Sequence, residues 1–195
     1  MRSPGERHGR NLVAFDPQGT NFAIVVPTRK RRRDGEVFAI HYPSLHGFII
    51  GRVIRAKAFP QGPVGILAGS RLVYVFKGVL PSKEMPPREH LLATNLLIPP
   101  MFLDKSPWSL AGVEVIGSIE IEHSEVLETH CFRDTVYSKP GNEIYYDGNG
   151  INDNGELNAL ENPIDPVGTM TLQNMWSIDL HVSRALDLPD PTAFM

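Results

Sequence analysis

The sequence predicts a mainly β domain of the α+β kind: a curved or barrel-like antiparallel sheet with a C-terminal helix packed on it. Three observations carry that expectation. Short runs rich in Val, Ile, Phe and Tyr recur between turn residues, as strands do. Glycine and proline number 17 each, which suits many short elements joined by turns rather than a helical bundle. Helical spacing of apolar residues is clearest in one place, near the C-terminus.

In chain order, Asn11–Phe15 and Phe22–Val26 flank the turn-like Asp16-Pro17-Gln18-Gly19 and read as a hairpin or two loose strands. Glu36–His41 and Phe48–Ile54 are strands by composition. The loop Tyr42-Pro43-Ser44-Leu45-His46-Gly47 joins them as an antiparallel pair. Gly51 interrupts the second strand and marks a bulge or a close backbone approach. Residues 60–70 are a loop. Arg71–Lys77 alternates as the third strand of a meander, with Leu72, Tyr74 and Phe76 on one face. Pro86 to Leu91 opens one helical turn, because proline is tolerated at the first helical position. Leu96–Ile98 leads to Pro99-Pro100, and Val113–Ile121 gives a further strand broken by Gly117. For the helix, Ser177 is the expected cap, Asp179 sits in the first turn where the dipole favours negative charge, and Pro189 stops it. Ile178, Val182, Ala185 and Leu186 then share one apolar face.

At 195 residues the chain reads as one domain. A domain of that size buries roughly 70% of the surface its unfolded chain exposes, enough for a core without staples. The division expected is an N-terminal extension over 1–28 that adds a hairpin to the sheet, a β-rich domain over 29–190, and a tail over 191–195. A single cysteine, Cys131, excludes an internal disulfide framework and suits a reducing compartment. No apolar run approaches the ~18 residues of a membrane span. The first residues carry charges with no apolar stretch behind them, so no secretory leader is read and a cytoplasmic protein is expected. Net charge is −3 but unevenly spread. Residues 1–60 hold eleven Lys/Arg against four Asp/Glu, giving +7, and residues 61–195 hold eight against eighteen, giving −10. An acidic body with a basic lead-in suits a protein partner at least as well as a nucleic acid.

The motifs yield little chemistry. Asp147 to Glu156, DGNGINDNGE, has the composition of a calcium loop, which needs alternating oxygen ligands and a glycine at the sixth position. No register of the segment satisfies that pattern, and a polar turn has the same composition. His123, His130 and Cys131 are the nearest approach to zinc ligands, but two are adjacent and no second pair exists. His41 and His46 flank a loop without a third ligand. A Cys131 nucleophile beside His130 competes with the plainer reading of a small buried hydrophobe. There is no nucleophile elbow, phosphate-cradling loop or dinucleotide fingerprint. Five consecutive basic residues, Arg29, Lys30, Arg31, Arg32 and Arg33, suit phosphates, but no aromatics interleave them for base stacking. A solvated connector that guards a strand edge is the simpler reading.

Four blocks together resemble the immunity protein 26 family of bacterial polymorphic toxin systems. They are Gly35–Ile40 with Gly47–Val53; Leu96–Pro100 with Trp108 and Gly112; Cys131–Asp134 with Tyr145–Asp147; and Thr171-Leu172 through Ser177–Asp179 to Leu188-Pro189. They run in order from about residue 33 to 190, roughly four-fifths of the chain. The resemblance implies a β-rich protein without catalytic residues or cofactor, which neutralises a cognate toxin domain, usually encoded next door, by stoichiometric binding. Electrostatic complementarity would speed such binding. If the toxin is basic, the acidic body docks it. The expected contacts are Glu120, Glu122, Glu125 and Glu128, with Asp147, Asp153 and Glu156. Membrane and nucleic-acid partners are not expected. The alternative is a small nucleic-acid-binding β-barrel in which Arg29 to Arg33 touch phosphates. A metal-dependent enzyme using His123, His130 and Cys131 is a third class.

Overall fold

The longest apolar runs become the strands of one sheet: β1 (Glu36–Tyr42), β2 (Gly47–Arg55), β3 (Arg71–Phe76) and β4 (Leu96–Leu103). The computed structural model describes residues 19–25, 27–28, 30–58, 67, 69–110, 112–151 and 156–191. A short helix, α1 (Ser106–Ser109), follows β4, and β5 (Glu114–Ser118) returns to pair with β1. The second sheet holds β6 (Cys131–Arg133), β7 (Tyr145–Ile151), β8 (Leu157–Leu160) and β9 (Gly168–Thr169). After β10 (Leu172–Gln173) comes the helix α2 (Met175–Ala185). The six-stranded sheet has the order β10-β4-β3-β2-β1-β5, and the four-stranded sheet the order β8-β7-β6-β9. Pairing is antiparallel except at two edges, where β10 lies parallel to β4 and β9 parallel to β6. The fold is therefore mainly β with one C-terminal helix, and the sheets do not close into a barrel.

Both faces of the large sheet are covered, which explains why its central strands are apolar without interruption. Strand alternation sends Phe38, Ile40, Val73 and Val75 to one side, against Trp108 and the α2 residues Met175, Ile178 and Val182. Val37, Ala39, Leu72, Tyr74 and Phe76 go to the other side, against Phe132 and Met170 of the small sheet. Phe102 and Phe132 stack there with centroids 4.3 Å apart. Each such aromatic or branched side chain contributes about 1.5–3 kcal/mol on full burial, so the two layers together hold the sheet in place.

Two glycines are dictated by close approach. Gly51 has no bulge. A Cβ there would lie 2.2 Å from Phe38 Cζ and 2.9 Å from the Tyr74 carbonyl oxygen. Gly35 has φ +79°, and a Cβ would meet the Ile119 carbonyl oxygen at 2.2 Å. The tight turn into β1 therefore requires glycine on both counts.

Several boundaries depart from expectation. β4 runs through Pro99 and Pro100 because the β3–β4 register shifts between Val73↔Met101 and Val75↔Ile98, where the missing N–H groups are tolerated. The strand expected over Val113–Ile121 is confined to Glu114–Ser118 and passes through Gly117. The helix starts earlier than Ser177, capped by Asn174, whose side chain accepts from Ser177 N (3.1 Å). Asp179 does not sit at an exposed helix start. It is fully buried and accepts from Asn21 N (3.0 Å), and burial raises its carboxyl above the usual range. The described part of Phe22–Val26 forms no strand. Residues 19–25 lie as a strap against α2 and β1, with Asn21 Nδ2 donating to Ser183 Oγ (2.8 Å) and Ala23 N to His41 O (2.8 Å). Asn11–Phe15 and the tail beyond residue 191 lie outside the described residues.

Candidate functional site

Arg52 is the anomaly from which the site is built. It sits mid-strand in an apolar run, and alternation places it with Ile50 and Ile54 on the side facing the small sheet. Its side chain is fully buried. Nη1 donates to Glu125 Oε2 (2.9 Å), while Nη2 donates to the Ile119 (3.0 Å) and Glu120 (2.9 Å) carbonyls. Glu125 is also inside the protein, closing a single 3₁₀ turn over His123–Glu125. Its Oε2 accepts a second bond from Glu122 N (2.9 Å), and Arg88 Nε lies 3.0 Å from Oε1. Arg88 also pairs with Glu122 at the surface. Residues 119–125 are thus pinned to the sheet by one internal ion pair, with Ile119 N donating to Gly35 O (3.0 Å).

A second network holds the far end of the same segment. Leu127 N donates to the Tyr74 hydroxyl (2.9 Å), which in turn bonds His130 Nε2 (2.7 Å). Asn149 turns its oxygen to His130 because its amide nitrogen is engaged by Glu128 O, so Nδ1 carries the ring proton and Nε2 accepts from the Tyr74 hydroxyl. His130 Nδ1–H then donates to Asn149 Oδ1 (2.5 Å), and Asn149 Nδ2 donates to Glu128 O (2.8 Å). Burial holds the His130 imidazole below its usual range, with Asn149 opposing and Arg55 adding to the effect. Burial pushes the Tyr74 hydroxyl well above its ordinary value. The chain is therefore neutral throughout and each of its groups has a partner.

Between these anchors the surface forms a groove with two halves of opposite charge. The acidic half is about 670 Å³. Ile54, Ile121, Val126 and Leu127 give it apolar lining, and Asp34, Glu120, Glu128 and His123 line it too. The basic half is about 620 Å³, lined by Arg31, Arg32, Arg33, Arg55, Lys57 and Arg71. Asp34 and Arg55 border both halves. Neither is loose: Asp34 Oδ1 accepts from Ala56 N (2.6 Å), and Arg55 Nη1 donates to Asn149 O (2.7 Å).

The expected contact residues divide accordingly. Glu120 and Glu128 are exposed and line the acidic half, and Glu122 is exposed beside Arg88. Glu125 is withdrawn from any docking face, because its carboxylate is spent on Arg52 in the interior. Asp147 turns its carboxylate to Asn149 N (2.9 Å). Glu156 is exposed ahead of β8 and does not line the groove. Asp153 and Arg29 lie outside the described residues. Lys30 is exposed and lines a smaller depression with Thr28, Glu36 and Glu114. Arg32 is largely buried, donating Nε and Nη2 to Lys30 O.

The metal and nucleophile candidates are taken up elsewhere. Cys131 is buried, and the adjacent His130 is engaged by Tyr74 and Asn149. Among the described residues no three His, Cys, Asp or Glu side chains gather as a metal site. Asp147 to Ile151, expected as part of a polar turn, belongs to strand β7, and residues 152–155 lie outside the described residues. No described helix is long and apolar enough to cross a membrane. Sequence reasoning missed Asp34, Arg55, Lys57 and Arg71 as groove residues. The available signal was Arg52, a cation set inside the apolar run FIIGRVI. Comparison with protein-family models, curated proteins and solved structures finds no match for the chain.

Proposed function

We propose that this protein is a non-catalytic, cytoplasmic immunity protein that neutralises a cognate toxin domain by stoichiometric binding through the acidic half of the groove. The observation that carries the reading is the pinned segment over 119–128. It offers apolar surface ringed by Glu120, Glu128 and Asp34 on a wall that two buried networks hold rigid. Such a surface binds without first ordering itself, and its negative rim steers a basic partner. The four blocks that resemble the immunity protein 26 family lend a second support. They fall on β1, β2, β4, α1, β6, β7 and α2, which make the scaffold, whereas residues 119–128 lie between blocks. A shared scaffold with a private binding segment suits a set of antitoxins with different targets.

The partner is expected to be the toxin domain encoded by a neighbouring gene. Purified toxin domain mixed with this protein should form a one-to-one complex by calorimetry and lose its activity in proportion. Glu120→Lys with Glu128→Lys should slow association about tenfold or more at low salt, because rim charges act mainly on the encounter rate. A neighbouring toxin that neither binds nor is inhibited would sink the reading. The rival, a nucleic-acid-binding barrel using Arg29 to Arg33, draws on a run of which Arg32 is largely buried and Lys30 lines a separate depression.

A further inference from the structure

The basic half of the groove has no part in the toxin-binding reading and asks for a ligand of its own. Six cationic side chains, Arg31, Arg32, Arg33, Arg55, Lys57 and Arg71, surround it, against the single carboxylate of Asp34. That carboxylate already accepts the Ala56 N–H, and Arg32 has a partial partner in Glu36 at 3.4 Å. The remaining charge is uncompensated within the cavity.

Two of the guanidinium groups are held in position. Arg32 and Arg71 both lie over the Trp108 ring, their central carbons 5.8 and 5.7 Å from its centroid. Arg71 Nε is buried and has no hydrogen-bond partner among the described residues. Burial lowers the Arg71 pKa from its ordinary value, with Asp104 opposing and the charge of Arg32 adding to the effect. Bringing like charges together in a recess costs stability, and an anion is what relieves it. A cavity of about 620 Å³ is the size of a small-ligand site.

The chemistry of the wall narrows the ligand. Guanidinium groups match phosphate oxygens with paired, planar donors. Among the described residues no aromatic side chain lines the cavity, so these offer no platform for reading a base. We propose that the basic half of the groove binds a chain of two or more phosphate groups, recognised through its oxyanions and not through an attached base. A free nucleoside polyphosphate and a nucleic-acid backbone both carry that chemistry.

The test is calorimetry on the intact protein with inorganic tripolyphosphate, with citrate at matched ionic strength as the control. Tripolyphosphate should bind with a Kd below about 100 µM and clearly more tightly than citrate. Arg31→Ala/Arg33→Ala/Lys57→Ala, three exposed positions, should weaken it about tenfold or more without lowering the thermal midpoint of the ligand-free protein. Arg71→Ala is a second variant with the same expected loss. Two further arms separate the sources. Tighter binding of a short single-stranded oligonucleotide, with steep salt dependence, assigns the backbone, and tighter binding of adenosine triphosphate assigns the free nucleotide. Equal binding of citrate and tripolyphosphate, or a triple variant that binds like the parent, overturns the proposal. Neither result bears on toxin binding, which uses the other half of the groove.

Discussion

Replacing Glu125 by leucine should be among the most damaging single changes this fold can suffer. The side chains of Arg52 and Glu125 are 0% and 1% exposed, so removing the carboxylate leaves a guanidinium in the interior with two carbonyls as its remaining partners. Breaking a buried pair in this way costs about 3–5 kcal/mol. For a chain of this size, each kcal/mol lowers the melting temperature by about 2–4 °C, giving an expected drop of about 6–20 °C. The double variant Arg52→Met/Glu125→Leu removes the stranded charge. It orphans the Ile119 carbonyl, which is only partly buried, while Glu120 O keeps its bond from Arg88 Nη2. It should therefore melt above Glu125→Leu alone, a coupling that thermal melts and urea midpoints on all four proteins would measure. Amide exchange over residues 119–128 should quicken in the single variant, since its anchor is gone. A Glu125→Leu protein that melts within about 2 °C of the parent, or a double variant less stable than the single, would refute the reasoning.

Gly51→Ala should cost about 1–3 kcal/mol by overpacking, because its methyl would collide with the Phe38 ring and the Tyr74 carbonyl; an unchanged urea midpoint would contradict the geometry. Asn174→Ala removes the bond to Ser177 N at the start of α2 and should cost about 1 kcal/mol, read as a lower melting temperature at constant far-ultraviolet dichroism. His130 is neutral in the folded protein, with its pKa depressed, so acid favours the unfolded chain. Its contribution to stability is level above about pH 6.5 and falls as pH drops from there through the folded value. His90 and His181 are depressed by burial as well, so the test is a difference: melts of His130→Gln should show a shallower loss below about pH 6.5 than the parent. Identical slopes would mean that the imidazole is not held neutral.

How far these features could be read from the chain depends on how local their causes are. β1, β2 and β3 fall within a residue or two of expectation because Val, Ile and Phe content with a short connecting loop defines the first two and alternation the third. Pro99-Pro100 misled because proline is tolerated where a register shift leaves the ladder unpaired, and that shift belongs to β3 as much as to β4. The small sheet went unread because β9 has two residues and β6 three, too few to show a period. In the site, the acidic character of 120–128 was legible as charge. Which glutamate turns inward was not, since that is decided by Arg52, 73 positions away. The basic half shows the same limit: Arg31 to Arg33 are contiguous, but Arg55, Lys57 and Arg71 join them through pairing of the sheet.

The inward turn of Glu125 also sets what this protein can become. One carboxylate in the 119–128 segment serves as the fixing bolt, and three others, Glu120, Glu122 and Glu128, face outward. The outward three can be exchanged for other residues with little effect on whether the chain folds. If this face binds a toxin as proposed, a change in the toxin's surface can be answered at positions 120, 122 and 128 while position 125 stays fixed. Substitutions gathered in a selection for a new target should spread over those three sites and avoid the fourth.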